Sequence, residues 1–171
     1  VWTWGHNQYG QLGNGSTAYY VDTPVQVTGL TNVKAIAAGW DHCVAVKEDG
    51  TVWAWGRNSS GQLGNNSTTN RNVPVQVTGL SGIDVVGAGG SHSLAVKNDQ
   101  TVWAWGANGS GQLGDGTTTN RLTAVQMAMP VGAESVAGGN EHTLIKAANR
   151  WVYACGSNSS GQLGDGTNDN R

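Results

Sequence analysis

The sequence predicts an all-β fold, a β-propeller of four-stranded antiparallel blades at about fifty residues per repeat. Three observations carry that expectation. The first is self-similarity along the whole chain. An aromatic recurs at Trp2, Trp53, Trp103 and Tyr153, and a histidine at His42, His92 and His142. The phrase GQLG recurs at Gly10–Gly13, Gly61–Gly64, Gly111–Gly114 and Gly161–Gly164. The second is alternation: Val and Trp alternate with small or polar residues over short runs, the period of a half-buried strand, and no helical period appears. The third is composition. With 27 Gly, 8 Trp, no Phe and 12% charged side chains in 171 residues, the chain lacks the Lys and Glu of long exposed helices and is rich in turn formers.

Each unit reads as four strands in order. The first lies around Val25–Val27 in "PVQVTGL", a phrase repeated at 74–80 and altered to "AVQMAMP" at 124–130. The second is Val33–Ala37 and the third His42–Val46. Between the third and fourth sits Asp49-Gly50, a strong two-residue hairpin signal. The same place holds Asp99-Gln100 and Asn149-Arg150, which predicts a different turn type there. The fourth strand, Val52–Trp55, puts Trp53 and Trp55 on one face and Ala54 on the other. Trp2 and Trp4, then Trp103 and Trp105, then Tyr153, take those places in the other units. Large aromatics facing a small residue let adjacent blades interdigitate, and each tryptophan can bury about 150–250 Å².

The "NxxGQLGxG" loop that follows has a backbone rationale. Its glycines suit tight turns at positive φ, and Asn66 stands where the other units have Gly15, Gly116 and Gly166. Gln11, Gln62, Gln112 and Gln162 are expected to hydrogen-bond loop backbone. The resulting division is a lone fourth strand at 1–5, complete blades at 24–56, 74–106 and 124–156, and inter-blade loops at 6–23, 57–73, 107–123 and 157–171.

Together, W-x-W-G, N-x-x-G-Q-L-G and A-G-x-x-H resemble the regulator of chromosome condensation repeat family over the whole chain. Kelch repeats have a similar period but lack the GQLG loop; a solenoid usually has a shorter one. The resemblance implies a seven-bladed propeller of four-stranded blades. Such a ring needs roughly twice this length, so the chain reads as about half of one. Its edges would then meet further blades of a longer chain or, alternatively, a second copy. In the eukaryotic founder the propeller is a nucleotide-exchange factor for the Ran GTPase and binds chromatin. Here the even repeat spacing leaves no room for an inserted wedge, so exchange activity is not expected.

Chemistry-bearing residues are sparse. A formal charge of −2 gives no electrostatic footprint for nucleic acid, and no apolar run is long enough to span a bilayer. His42, His92 and His142, one per blade, are too widely spaced to chelate one ion, and each is expected to satisfy buried groups within its own blade. His6 is outside the pattern and expected to be exposed. Cys43 and Cys155 fall at different places in the repeat and read as free thiols. "GDGTTTN" and "GDGTNDN" resemble calcium loops faintly and read as turns, because Asn replaces Asp in the first two units. Sequons at Asn58, Asn66 and Asn108 arise from the repeat motif itself. No catalytic residue, metal or cofactor is expected.

Function is therefore sought where the repeats disagree. Trp40-Asp41 becomes Gly90-Ser91 and then Asn140-Glu141; Gln8-Tyr9 becomes Ser59-Ser60; Tyr19-Tyr20 becomes Asn70-Arg71. Loop aromatics are typical protein-contact anchors, though they also pack locally over loops. The leading expectation is a non-enzymatic propeller that binds a protein or surface macromolecule through Tyr9, Tyr19, Tyr20, Trp40, Asp41, Asn140 and Glu141. It would belong to a bacterial extracellular or cell-surface protein. The alternatives are an adhesin or filament building block, and an inhibitor resembling the propeller-type β-lactamase inhibitory proteins.

Overall fold

A computed structural model describes every residue but Pro130. Its strands are β1 (Trp2–His6), β2 (Tyr20–Gln26), β3 (Val33–Ala38), β4 (His42–Lys47), β5 (Val52–Gly56), β6 (Arg71–Gln76), β7 (Ile83–Ala88), β8 (His92–Lys97), β9 (Val102–Gly106), β10 (Arg121–Gln126), β11 (Ala133–Gly138), β12 (His142–Ala147) and β13 (Val152–Gly156). They form antiparallel sheets β1-β2, β3-β4-β5-β6, β7-β8-β9-β10 and β11-β12-β13. The chain is an all-β segment of a propeller.

The strands are where the alternation puts them, but the sheets are grouped differently from the expected blades. The PVQV strand does not open a blade. It closes the preceding one: Trp53 pairs with Gln76, Ala54 with Val75 and Gly56 with Arg71. One four-stranded sheet therefore runs over 33–76 and the next over 83–126, in place of 24–56 and 74–106. The segment expected at 124–156 contributes β10 to the second sheet and β11–β13 to the last. Pro130, which ends "AVQMAMP", lies outside the described residues. Likewise β1 is not alone but pairs with β2, Trp2 opposite Gln26. β2 also starts at Tyr20, which places that residue on a strand. The physical reason is turn closure. The GQLG loop folds the chain back onto its own sheet, whereas the TGL turn, with Gly79 at φ 76° and Gly82 at φ 65°, carries it across to the next.

The core lies between sheets. Val44, Val46, Val52 and Ala54 on one sheet meet Ala95 and Trp105 of the next, with Leu63, Leu80 and Ile83 filling the gap. Leu94, Val96, Val102 and Ala104 repeat this against Ile145, Tyr153 and Cys155. Large side chains thus face small ones across each interface. Trp55 and Trp105 are essentially fully buried.

The three hairpin turns share one conformation rather than differing. Gly50, Gln100 and Arg150 all adopt positive φ, at 76°, 68° and 70°. What the three have in common is the residue before: Oδ1 of Asp49, Asp99 and Asn149 accepts the backbone N–H two positions on. That side-chain turn holds the left-handed residue in place without glycine.

Strand directions put two sets of loops at the same end of every sheet. The 39–41, 89–91 and 139–141 connections and the 7–19, 57–70 and 107–120 loops form this end, here called the loop face. The short hairpins lie at the other.

Candidate functional site

The loop face is built on hydrogen bonds that run from blade to blade. The backbone carbonyl of Gln62 accepts Trp105 Nε1–H at 2.9 Å and the Ser93 hydroxyl at 2.8 Å. Having given its only proton to Gln62, the Ser93 oxygen must accept from His42, whose Nε2 lies 2.9 Å away. His42 is therefore the Nε2–H tautomer. The next interface repeats the device: Thr143 donates to the Gln112 carbonyl at 2.8 Å and accepts from His92 Nε2 at 3.0 Å. The first uses Trp55, donating to the Gln11 carbonyl at 2.9 Å, and the Cys43 thiol at 3.5 Å.

This corrects the expectation that each histidine serves its own blade. His42 and His92 reach across to the next one, because their rings lie over Gly39 and Gly89, where a Cβ would collide with them. Their Nδ1 atoms are buried without a hydrogen-bond partner. Burial, with a lesser contribution from the neighbouring histidine, pushes His42 down to about 3 and His92 down to about 4. Both are neutral structural groups at ordinary pH. Burial likewise raises the Cys43 thiol to about 12 and the Cys155 thiol to about 11, so neither is a thiolate nucleophile.

The side chains of the GQLG loop hold its backbone. Gln11, Gln62, Gln112 and Gln162 each accept, through Oε1, the N–H two residues before them at 2.9 Å. A second residue does more. Asn58, fully buried, accepts the Leu63 N–H through Oδ1 at 2.9 Å. Its Nδ2 donates to the carbonyls of Ser67 and Thr69 at 2.8 and 3.1 Å. Asn7, Asn108 and Asn158 take the equivalent role. The sequons at Asn58 and Asn108 are thus closed to modification, whereas Asn66 is exposed, at φ 56°. Asn58→Ala is expected to destabilise by about 3 kcal/mol, since it strands one buried donor and two acceptors. By calorimetry that is a fall in Tm of about 6–12 °C, against a small effect for Asn66→Ala.

Above this frame the first repeat carries a distinct cluster. Tyr9 lies under the Arg57 guanidinium, 5.0 Å from ring centroid to Cζ, and Arg57 also reaches Asp41 at 3.4 Å. Gln11 Nε2 donates to His6 Nδ1 at 2.9 Å and to Asp41 Oδ1 at 3.2 Å. Because Gln11 Oε1 is engaged by Tyr9 N–H, His6 Nδ1 is the acceptor and Nε2 carries the proton. His6, expected to be exposed, is half-buried by edge contacts with Tyr19 at 5.0 Å and Tyr9 at 6.4 Å.

The structure thus joins Tyr9, Tyr19 and Asp41, and adds Arg57 and His6. Trp40 and Tyr20 stand beside them at the same end, 69% and 63% exposed. Asn140 and Glu141 lie apart: the Asn140 carbonyl accepts Gly90 N–H at 3.1 Å, and Glu141 accepts from Ser110 at 3.3 Å. Arg57 escaped the sequence reading and His6 was set aside there as exposed, although both vary between repeats, against Ala107 and Ser157. Their position directly after W-x-W-G was the available signal. Asp115 accepts Thr117 N–H at 3.0 Å and pairs with Arg121 at 2.7 Å, a turn closed by its own residues. Among the described residues no group of three or more His, Cys, Asp or Glu is placed to hold a metal.

The profile of the regulator of chromosome condensation (RCC1) repeat matches residues 1–46, 49–96 and 99–145. The chain belongs to this RCC1 repeat family. A second RCC1 profile matches 33–62, 83–112 and 133–162. The human E3 ubiquitin-protein ligase HERC2 is 48% identical over 71 residues, 40% of this chain and 1% of that protein. The ultraviolet-B receptor UVR8 of Arabidopsis thaliana is 40% identical over 65 residues, 37% of this chain and 15% of that one. Among solved structures, Prp20p of Saccharomyces cerevisiae superposes with TM-score 0.85 at 25% identity, covering 99% of this RCC1-repeat chain and 44% of that one. Human WBSCR16 superposes at 0.83 with 22% identity, covering 92% and 42%. The RCC1-repeat chain spans less than half of the solved relatives and a small fraction of the curated ones.

Proposed function

We propose that this RCC1-repeat chain is a non-enzymatic scaffold that binds another protein through its loop face, anchored at the first repeat. The observation that carries this is the Tyr9–Arg57–Asp41 stack with Tyr19, Tyr20 and Trp40 beside it. Tyr, Trp and Arg are the side chains that dominate binding energy at protein interfaces, where rigid rings bring large area at little entropic cost. Tyr9 and Tyr19 sit on a backbone already held by Gln11 and Asn7, so ordering them on binding costs little. The later repeats carry Ser in place of Tyr9, Gly or Asn in place of Trp40, and Asn-Arg in place of Tyr19-Tyr20. Relatives of the same fold bind proteins: yeast RCC1 (Prp20) has been solved with Kap60 bound, and the Prp20p structure accompanies its binding to Gsp1p and histones. The paucity of Lys beside abundant Ser, Thr and Asn supports an extracellular or cell-surface setting.

The test is affinity capture followed by titration of the identified partner. Tyr9→Ala, Arg57→Ala and Trp40→Ala are each expected to weaken binding by about 2 kcal/mol or more, some thirtyfold. Lys97→Ala, at the opposite end, should leave it unchanged. Equal affinity across all four variants would remove the loop face as the binding site.

A further inference from the structure

The 7–19 loop and the 57–70 loop meet on the loop face, and the join leaves a cavity. Gly10 lies so close to the second segment that a Cβ there would fall 2.5 Å from the Asn72 Cα. Gly15 N–H donates to the Asn72 carbonyl at 2.8 Å, and Asn72 Nδ2 donates back to the Gly15 carbonyl at 2.8 Å. Between the two segments lies a space of about 260 Å³ lined by Gln8, Tyr9, Thr17, Asn70 and Asn72. That is just below the range of about 300–1,000 Å³ that holds drug-sized molecules, and it suits a single sugar ring.

The lining is neutral: three carboxamides, one hydroxyl and one phenol. An anion would want a cationic lining, a metal ion carboxylates, and an apolar ligand an apolar wall. Two of the carboxamides are fixed at one end and open at the other. Asn70 Oδ1 accepts Asn58 N–H at 2.9 Å, which leaves its Nδ2 hydrogens. Asn72 Nδ2 is spent on Gly15, which leaves its Oδ1. Donor and acceptor are thus held in place before any ligand arrives, and Gln8 and Thr17 add both kinds again at the exposed rim. Tyr9 is steadied by the Arg57 guanidinium over its ring. The next junction has the same backbone and a different lining. Leu122 takes the place of Asn72, lying against Gly61 as Asn72 lies against Gly10. Ser59 and Ser60 stand where the first loop has Gln8 and Tyr9.

We propose that this cavity is a binding subsite for a neutral hexopyranose, a sugar ring with adjacent hydroxyls. Each sugar hydroxyl both donates and accepts, so the open ends of Asn70 and Asn72, with Gln8 and Thr17, match it. The Tyr9 ring takes the C–H face of the sugar. Sugar binding here goes beyond protein binding at the same face and shares only Tyr9 with it.

The test is a titration of the isotope-labelled intact chain, read by NMR at the side-chain amides of Gln8, Asn70 and Asn72. The probes are the methyl glycosides of mannose, galactose and glucose, and free glucose. At least one hexose is expected to shift these signals saturably. A methyl glycoside that binds as well as its free sugar identifies the end of a glycan as the source, and preference for free glucose identifies the free sugar. Gln8→Ala, at an exposed position, should weaken binding about tenfold, the loss of one or two hydrogen bonds. Asn72→Leu should abolish it while the chain still folds, because the next junction already carries leucine at that place. Trp40→Ala should leave sugar binding unchanged, which keeps this proposal separable from protein binding through Trp40. Absence of a saturable shift with all four sugars overturns the proposal. Undiminished binding by Asn72→Leu overturns it too, and so does an equal response to glycerol, which has adjacent hydroxyls but no ring.

Discussion

Trp105→Ala is expected to lower the unfolding free energy by about 3–5 kcal/mol, the cost of removing a fully buried large aromatic. The indole packs against Val44, Val46, Val52 and Ala54 of the preceding blade and is entirely buried. Its Nε1–H donates to the Gln62 carbonyl at 2.9 Å, so truncation opens a void and leaves Ser93 as that oxygen's side-chain donor. The comparison that gives the experiment its force is Trp4→Ala. Trp4 occupies the same place in W-x-W-G but is 62% exposed, and its loss should cost less than about 1 kcal/mol. Urea unfolding at 25 °C reads both through the midpoint at constant slope. Equal losses for the two variants would show that the repeated tryptophans do not act through blade packing.

Stability is expected to fall steeply as pH drops from about 6.5 toward 4. His42 and His92 take a proton near pH 6.5 in the unfolded chain, but only near about 3 and about 4 when folded. Between those values the unfolded state binds more protons, so unfolding becomes easier as pH falls. The histidine contribution is complete above about 6.5 and is lost progressively below it. At about 1.4 kcal/mol per pKa unit, each histidine removes about 3 kcal/mol by pH 4. Against a typical domain stability of about 5–15 kcal/mol, that is a large share of the total. Asp49 is held down to about 2, chiefly by Thr51, so its contribution is lost only below about pH 4. The measurement is a series of thermal melts from pH 8 to 4 on wild type and on His42→Asn with His92→Asn. The double variant should start lower and show a flatter slope; an unchanged slope would mean the imidazoles titrate freely.

Some residues of the loop face could be singled out from the sequence, and those that could not were hidden in two ways. Variation between repeats marked Tyr9, Tyr19, Trp40 and Asp41, because a scaffold position must repeat and a contact position need not. Variation alone could not pair Tyr9 with Arg57, whose residues belong to different repeats and meet only when the blades pack. Glu141 was flagged by the same rule yet turns toward Ser110, away from the aromatic cluster. Asn58 was hidden in the opposite way. It repeats with the GQLG loop and reads as a turn former or a sequon, and only the folded loop shows its side chain buried and shared among three backbone groups.

The alternation of residues such as Val52–Trp55 depends on nothing beyond local chain geometry, which is why strand positions, the fifty-residue unit and the all-β class follow from the sequence by itself. Hydrogen-bonded grouping is a relation between segments, and a period of fifty leaves its phase open: "PVQV" could close one blade or open the next. The tertiary structure decided for closure, because the GQLG loop returns the chain to its own sheet while the TGL turn with Gly79 and Gly82 sends it onward. The histidines show the same division. Their spacing declared them structural, but whether His42 served its own blade or the next was settled by packing, which lays its ring over Gly39 and points Nε2 at Ser93.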